Sequence, residues 1–356
     1  MVQRNGQLPS AGAAVGYARV DPLIDTPIPP IPGESENLVF FGHDPNTGLS
    51  FWSHMGRLAP DGSIWEGIFA LYLPDGSVLS HRSIGRSVLT PATAQIRYEP
   101  TQPSQRWAIH LDGVAQRIAL ADTGARPVSL VHGPGTSAAP RDPYEPLRVD
   151  LEFSGTSPVH DTDVSGQDWG TLHIHQLGRI RGTVKFGSRT VAVDFAGGRD
   201  HTRGPRDFTT LAGEWWATCT FPSGRSIDLL QTWHTDGAVW FSGVIRDGNG
   251  TSEVRRLDPV PLFDTLGRPA EFEIKLETDS ASVGITTTVL NGLPYTLVRP
   301  TGFLPGVVDV DASTLIAVEG AARYTWDGES AYGWIERCRP LRDLTMTTST
   351  LAKELR

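Results

Sequence analysis

The sequence predicts an all-β chain folded as two antiparallel barrels or sandwiches in tandem. Glycine and proline supply 38 and 27 of the 356 residues, and they follow neither a collagen-like nor a linker-like period. From Leu38 onward, apolar runs of strand length alternate with turn chemistry. Helical periodicity is almost absent, with only residues 349–356 mildly helical. The candidate strands number roughly sixteen to twenty, more than one small barrel holds.

Taken in order, residues 1–36 form a proline-rich leader ending in DTPIPPIPGESE, where missing amide donors rule out a helix or a central strand. A first β domain then spans 37–198 and a second spans 199–356. In the first, Pro60-Asp61-Gly62 and Pro74-Asp75-Gly76 read as turns, because proline presets the first turn position and glycine accepts positive φ. They bracket strands at Ile64 to Leu73 and Ser77 to Ser83. The same grammar recurs in RWAIHLDGVAQRIAL, in HIHQLGRIRGTVKFGSRTVAVDF, and in EWWATCTFPSGRSIDLLQTWHTDGAVWFSGVIRDGNG.

Composition narrows the function classes. The net charge of −9 is dispersed, and no basic run tracks a phosphate backbone, so nucleic acid is not an expected partner. No apolar stretch is long enough for a membrane span, and the N-terminus has no signal-peptide core, so a cytoplasmic protein is expected. Cys219 and Cys338 are the two cysteines, too few for a disulfide framework, and they read as small buried residues. Walker, Gly-x-Gly-x-x-Gly and Gly-x-Ser-x-Gly motifs are missing, which leaves kinase, dehydrogenase and serine-hydrolase chemistry without support.

The candidate site rests on polar residues set in apolar strands. Asp228 shares a strand face with Leu230, Thr232 and His234, while Trp233 lies on the opposite face. Aspartate is disfavoured in mid-strand, so Asp228 either bonds backbone or an arginine, or acts chemically. Tyr332, Trp334 and Glu336 share another face, where flanking aromatics would desolvate the carboxyl and suit it to general-acid work. His173 and His175 share a third face and could form half of a metal site. No further His/Cys cluster has ligand spacing, so no metal is expected. In GGRDHTRGPRDF, Gly197-Gly198 allows a bend after which Asp200 and His201 would leave the strand together as an acid/base pair. Arg206-Asp207 offers an ion pair that could lock the turn at Gly204-Pro205.

The stretch RDHTRGPRD resembles the central signature of proteins built from two lipocalin-like barrels in tandem. That family includes carotenoid 1,2-hydratases, fungal decalin-forming Diels-Alderases and many bacterial members. FWSHMGRL, HIHQLGRIRGTV and DGESAYGWIER extend the resemblance over residues 38–340 in the right order. Thr202-Arg203 departs from the pattern, since a cation stands where relatives carry an aromatic. The resemblance implies two calycin-type barrels and a hydrophobic isoprenoid, steroid or polyketide-like ligand in a barrel cavity or between the two barrels. It also implies a lyase or isomerase, such as a hydratase, cyclase or double-bond isomerase, that needs no cofactor. A pericyclase and a non-catalytic carrier or sensor are the alternatives. The expected acids and bases are Asp200, His201, Asp228 and Glu336; Arg206, Trp216, Trp233, Tyr332, Trp334 and His173 are the expected binding residues.

Overall fold

The computed structural model describes residues 25–26, 28–57, 61–120, 143–248, 250–258, 271–298, 302–305 and 313–342. Within them lie two closed eight-stranded antiparallel β-barrels in tandem. The first is a ring of β1 (Ser35–Asp44), β2 (Leu49–Arg57), β3 (Ile64–Tyr72), β4 (Ser77–Arg86), β6 (Arg106–Ala119), β7 (Tyr144–Gly155), β9 (Leu172–Phe186) and β10 (Arg189–Gly204), with β5 (Ile96–Gln102) and β8 (His160–Asp161) beside it. Pairing of β10 with both β1 and β9 closes that ring. The second ring takes β11 (Leu211–Thr220), β12 (Ser226–His234), β13 (Val239–Asp247), β14 (Gly250–Leu257), β15 (Glu271–Thr278), β16 (Ser282–Val289), β19 (Leu315–Trp326) and β20 (Glu329–Pro340). It closes through β16 and β19, and the short β17 (Leu293–Val298) and β18 (Gly302–Pro305) extend its sheet.

Strand alternation fills both lumens and leaves a third apolar layer between the barrels. Leu38, Phe40, Phe51, Phe69, Trp107 and Phe153 pack inside the first barrel. Trp215, Ile227, Leu229, Ile274, Ile285 and Ile335 pack inside the second. Residues of opposite parity on the same strands point outward, so Val39, Phe41, Trp52 and Tyr72 meet Trp216, Leu230, Tyr295 and Trp334. Phe41 sits edge-on to Trp216 at 4.9 Å and tilted against Trp334 at 5.5 Å. The barrels thus share a packed face.

The predicted turn at Pro74-Asp75-Gly76 forms, with Gly76 at φ 79° and Asp75 Oδ1 accepting from the Ser77 amide. Two expectations about the central stretch change. β10 continues through Gly204 and stays paired with β1 as far as Ser35, so residues 199–204 belong to the first barrel and the second begins beyond them. Nor do Gly197 and Gly198 bend the strand, whose register with both neighbours is unbroken. A Cβ on Gly197 would run into the Phe41 carbonyl oxygen, so the glycines serve close backbone approach. Cys219 and Cys338 are free and buried. The helical expectation at 349–356 and the first 24 residues of the leader fall outside the described residues.

Candidate active site

Alternation along β10 separates the two residues expected to act as a pair. His201 lies opposite Leu38 and faces the lumen, whereas Asp200 lies opposite Val39 and faces the second barrel. In the lumen His201 sets Nε2 against Glu36 Oε1 at 2.9 Å and Nδ1 against Asp25 Oδ1 at 3.4 Å. Arg199 donates two bonds of 2.9 Å to Asp25 from the same face, and Arg203 donates to Glu36. Arg57 also reaches Glu36, at 3.2 Å. Burial would raise the Asp25 and Glu36 carboxyls, but His201 and these arginines hold both below their ordinary values. His201 is therefore a member of a saturated ion lock and shares no site with Asp200.

The outward face of the same strand lines a crevice between the barrels. Asp200 lies directly across from His175 on β9, and Thr202 lies across from His173. His175 Nδ1 is 2.9 Å from Asp228 Oδ1 on β12, and its Nε2 is 2.7 Å from His173 Nε2. His173 Nδ1 in turn meets Thr202 Oγ1 at 2.7 Å. Trp216 stacks on His175 at 4.3 Å and donates its indole N–H to Asp228. Asp228 also meets His160 Nδ1 at 2.7 Å, which gives it three partners. Burial alone would raise its pKa, yet His175 and His160 hold it well below the carboxylate range. It is a fixed anion that orients imidazoles, and the expected role of second acid passes elsewhere.

That role suits the carboxyls on the facing strands. Glu319 of β19 pairs directly with Glu336 of β20, and Glu336 lies across from Trp216 of β11. Glu214 follows two residues before Trp216 on the same face. Trp334 donates its indole N–H to Glu319 at 2.7 Å, and Glu319 and Glu336 hydrogen-bond to each other. Burial pushes Glu319 up to about 8 against that help. Burial and the Glu319 charge push Glu336 well above its ordinary value. Burial, with Glu336 beside it, takes Glu214 to about 8, and Asp200, lifted by burial and pulled back by His175 and Arg206, reaches about 6. Two carboxyls sharing one hydrogen bond cannot both ionise, so this group carries protons at neutral pH.

Arg206 is the cation that faces them. It adopts φ 55°, a left-handed conformation uncommon for a residue with a side chain, at the crossing from one barrel to the other. Its charge acts on Asp200, Glu214 and Glu336, and its guanidinium lies 4.6 Å over the Phe208 ring. Asp200, Arg206, Glu214 and Glu336 are each half-buried while protein surrounds them, as groups lining a deep cleft are.

Of the expected binding residues, Trp216, Trp334, His173 and Arg206 converge here. Trp233 does not: it packs toward the second lumen with the Arg339 guanidinium 4.3 Å over its ring. Tyr332 lies tilted against His43 at 4.7 Å, two residues before Trp334 on β20. Sequence reasoning missed Glu214, Glu319 and His160. The two glutamates carried the same signal as Asp228, a carboxylate in an apolar strand, in LAGEWWATCT and LIAVEGAARY. His160 sits on a two-residue strand with no pattern to read. An open depression of about 630 Å³, lined by Asp161, Asp163, Gln167 and Leu172 among others, lies beside His160 and holds none of the expected residues.

The family described as "Domain of unknown function (DUF7064)" matches residues 23–341. Among solved structures, an AttH candidate from Nitrosomonas europaea matches at 14% identity and TM-score 0.54, over 85% of this chain and 91% of that one. Kievitone hydratase from Nectria haematococca matches at 10% identity and TM-score 0.50, over 85% and 88%. CghA with Sch210972 matches at 10% identity and TM-score 0.48, over 89% and 96%. No curated protein matches the chain. Among the described residues no helix is long and apolar enough to cross a membrane.

Proposed function

The chain belongs to the DUF7064 family, whose description assigns no activity, and we propose that its inter-barrel crevice is the active site of a lyase that hydrates an apolar alkene by general-acid catalysis. The observation that carries this reading is the Glu319–Glu336 carboxyl pair, set between Trp216 and Trp334 and holding a proton at neutral pH. A carboxylic acid in that setting can protonate a carbon that water would not. Tandem barrels of this shape also form a hydratase, the kievitone enzyme.

In the proposed step the Glu336 carboxyl gives its proton to one alkene carbon, and the π electron pair forms the new C–H bond. The faces of Trp216 and Trp334 stabilise the cation left on the other carbon, as ring faces stabilise an ammonium. Water closes on that carbon, and the proton it sheds restores the carboxyl. Arg206 positions an oxygen of the substrate. The substrate class is a hydrophobic isoprenoid, steroid or polyketide-like molecule, in keeping with the aromatic walls.

The test incubates the protein in ¹⁸O-water with prenylated phenols, isoprenoid alkenes and steroid alkenes, and reads products by mass spectrometry. Gain of one labelled water in the wild type, lost in Glu336→Gln, supports the acid. Equal turnover in folded Glu336→Gln removes it. Recovery of every substrate unlabelled, with one bound tightly and unmodified, favours the carrier.

A further inference from the structure

We propose that His173, His175 and Asp200 form a binding site for one divalent first-row transition ion, of the zinc or iron(II) class, on the crevice wall opposite Glu336. The sequence shows only the pair His173-x-His175, and the third ligand comes from the neighbouring strand. β9 and β10 pair with Asp200 across from His175, so both imidazoles and the carboxyl leave the sheet on one face. One ligand atom from each lies within 4.8 Å of the others. Two imidazoles and one carboxylate leaving positions open is a donor set that suits zinc, iron or nickel.

The outer atoms of the site are arranged as a metal requires. A ligating histidine needs its other ring nitrogen held by a carboxylate, hydroxyl or carbonyl, which fixes the tautomer and the ring plane. His175 Nδ1 is held by Asp228 at 2.9 Å and His173 Nδ1 by Thr202 Oγ1 at 2.7 Å, which leaves both Nε2 atoms directed at each other. Asp228 is fixed by His160 and Trp216, so it cannot swing inward to become a ligand. A second trio, His160, His175 and Asp228, lies equally close. Its carboxylate, however, is already engaged by three donors, whereas Asp200 Oδ1 is buried with no hydrogen-bond partner.

Proton accounting agrees. Asp228 as a carboxylate only accepts, so His175 Nδ1 carries a proton and Nε2 is the atom left to face an ion. The 2.7 Å contact holds one proton between the two Nε2 atoms. An ion between the rings needs both Nε2 lone pairs, with the Nδ1–H of His175 held by Asp228 and the Nδ1–H of His173 donated to Thr202. Metal–nitrogen bonds of about 2.0–2.1 Å hold two nitrogens farther apart than this hydrogen bond does, so the rings open slightly on binding. Arg206 opposes a nearby cation, and the Asp200 carboxylate that it faces offsets it as a ligand of the ion. Bound there, the ion offers its open positions to water or to a substrate oxygen facing the acid. The site does not rest on the acid reading: a chain that binds the ion and turns over nothing would leave it standing.

The experiment uses the full chain stripped with a chelator and titrated with Zn²⁺ or Co²⁺. Calorimetry and elemental analysis give stoichiometry, and the visible spectrum of the Co²⁺ form reports coordination. One ion per chain is expected. His173→Ala and Asp200→Ala should abolish tight binding, and Asp228→Asn should weaken it about 10–100-fold. Each variant is scored only after its melting curve shows it folded, and Thr202→Val provides a milder probe of the same nitrogen. Failure of the folded wild type to bind stoichiometrically overturns the proposal. So does binding that survives both His173→Ala and Asp200→Ala, which would put the ion elsewhere.

Discussion

Two buried ionic clusters hang from opposite faces of one strand, and they differ in balance. On the lumen face of β10, Arg199, His201 and Arg203, joined by Arg57, meet Asp25 and Glu36, and each carboxylate finds several donors. On the outer face Asp200 joins Glu214, Glu319 and Glu336 against Arg206. The first cluster is saturated and depresses its acids; the second is short of positive charge and raises them. Saturated charge fixes a structure, because every group already has its partner. Charge left in deficit can take up a proton, an ion or a polarised ligand, which makes it a candidate for chemistry.

The largest effect should come from breaking the lock. Arg199→Ala leaves Asp25 buried without its bidentate partner, and loss of about 3–5 kcal/mol is expected in denaturant unfolding. A loss under about 1 kcal/mol would mean that the leader residue Asp25 simply leaves the lumen and that the lock holds little. Next, Glu336→Gln should lower turnover of a hydrated substrate about 10²–10⁴-fold while its melting temperature holds or rises. A parallel loss of stability would make Glu336 part of the architecture and blur the contrast between the clusters.

A smaller effect separates the neighbours directly. His201→Asn should destabilise by about 1–3 kcal/mol, because it leaves buried Glu36 short of a partner. Asp200→Asn in chelator should be neutral or stabilising, since it removes one carboxyl from a crowded group. If the two shift unfolding alike, the faces of β10 are not functionally distinct. The smallest effect is in the pH profile. Glu214 and Glu319 keep protons when folded up to about 8 that the unfolded chain loses near its ordinary carboxyl value. The folded state then binds more protons, so stability falls as pH rises from about 4.5 toward 8. Asp25 and Glu36 have lowered values and act oppositely: their contribution is present above about 4 and is lost as pH falls further. Urea midpoints from pH about 5 to about 8.5 should decline, and Glu319→Gln should flatten the decline.

The fold was legible because strand and turn signals are local. Alternation marked β12 at Ser226–His234 with its boundaries as observed, and the Pro-Asp-Gly turn placed β3 and β4. The candidate site was legible in part. Asp228, Glu336, His173, Trp216, Trp334 and Arg206 drew notice as polar or aromatic residues out of keeping with their surroundings, and all face the crevice. Asp200 and His201 were joined by a bend that does not exist. Once β10 is seen to continue, adjacency in sequence means opposite faces.

What the sequence by itself determined is the element type, the tandem architecture and the parity of each side chain, since these depend on residues a few positions apart. Only the tertiary structure decided which parity faces a lumen and which faces the other barrel. It alone set His175 across from Asp200, and Glu319 across from Glu336. Those pairings join residues 25 and 17 positions apart through strand register, and the crevice joins strands of two different rings. Register and docking are set by the packing of whole layers, and it is there that lone carboxyls become a proton-holding pair and two histidines gain a third ligand.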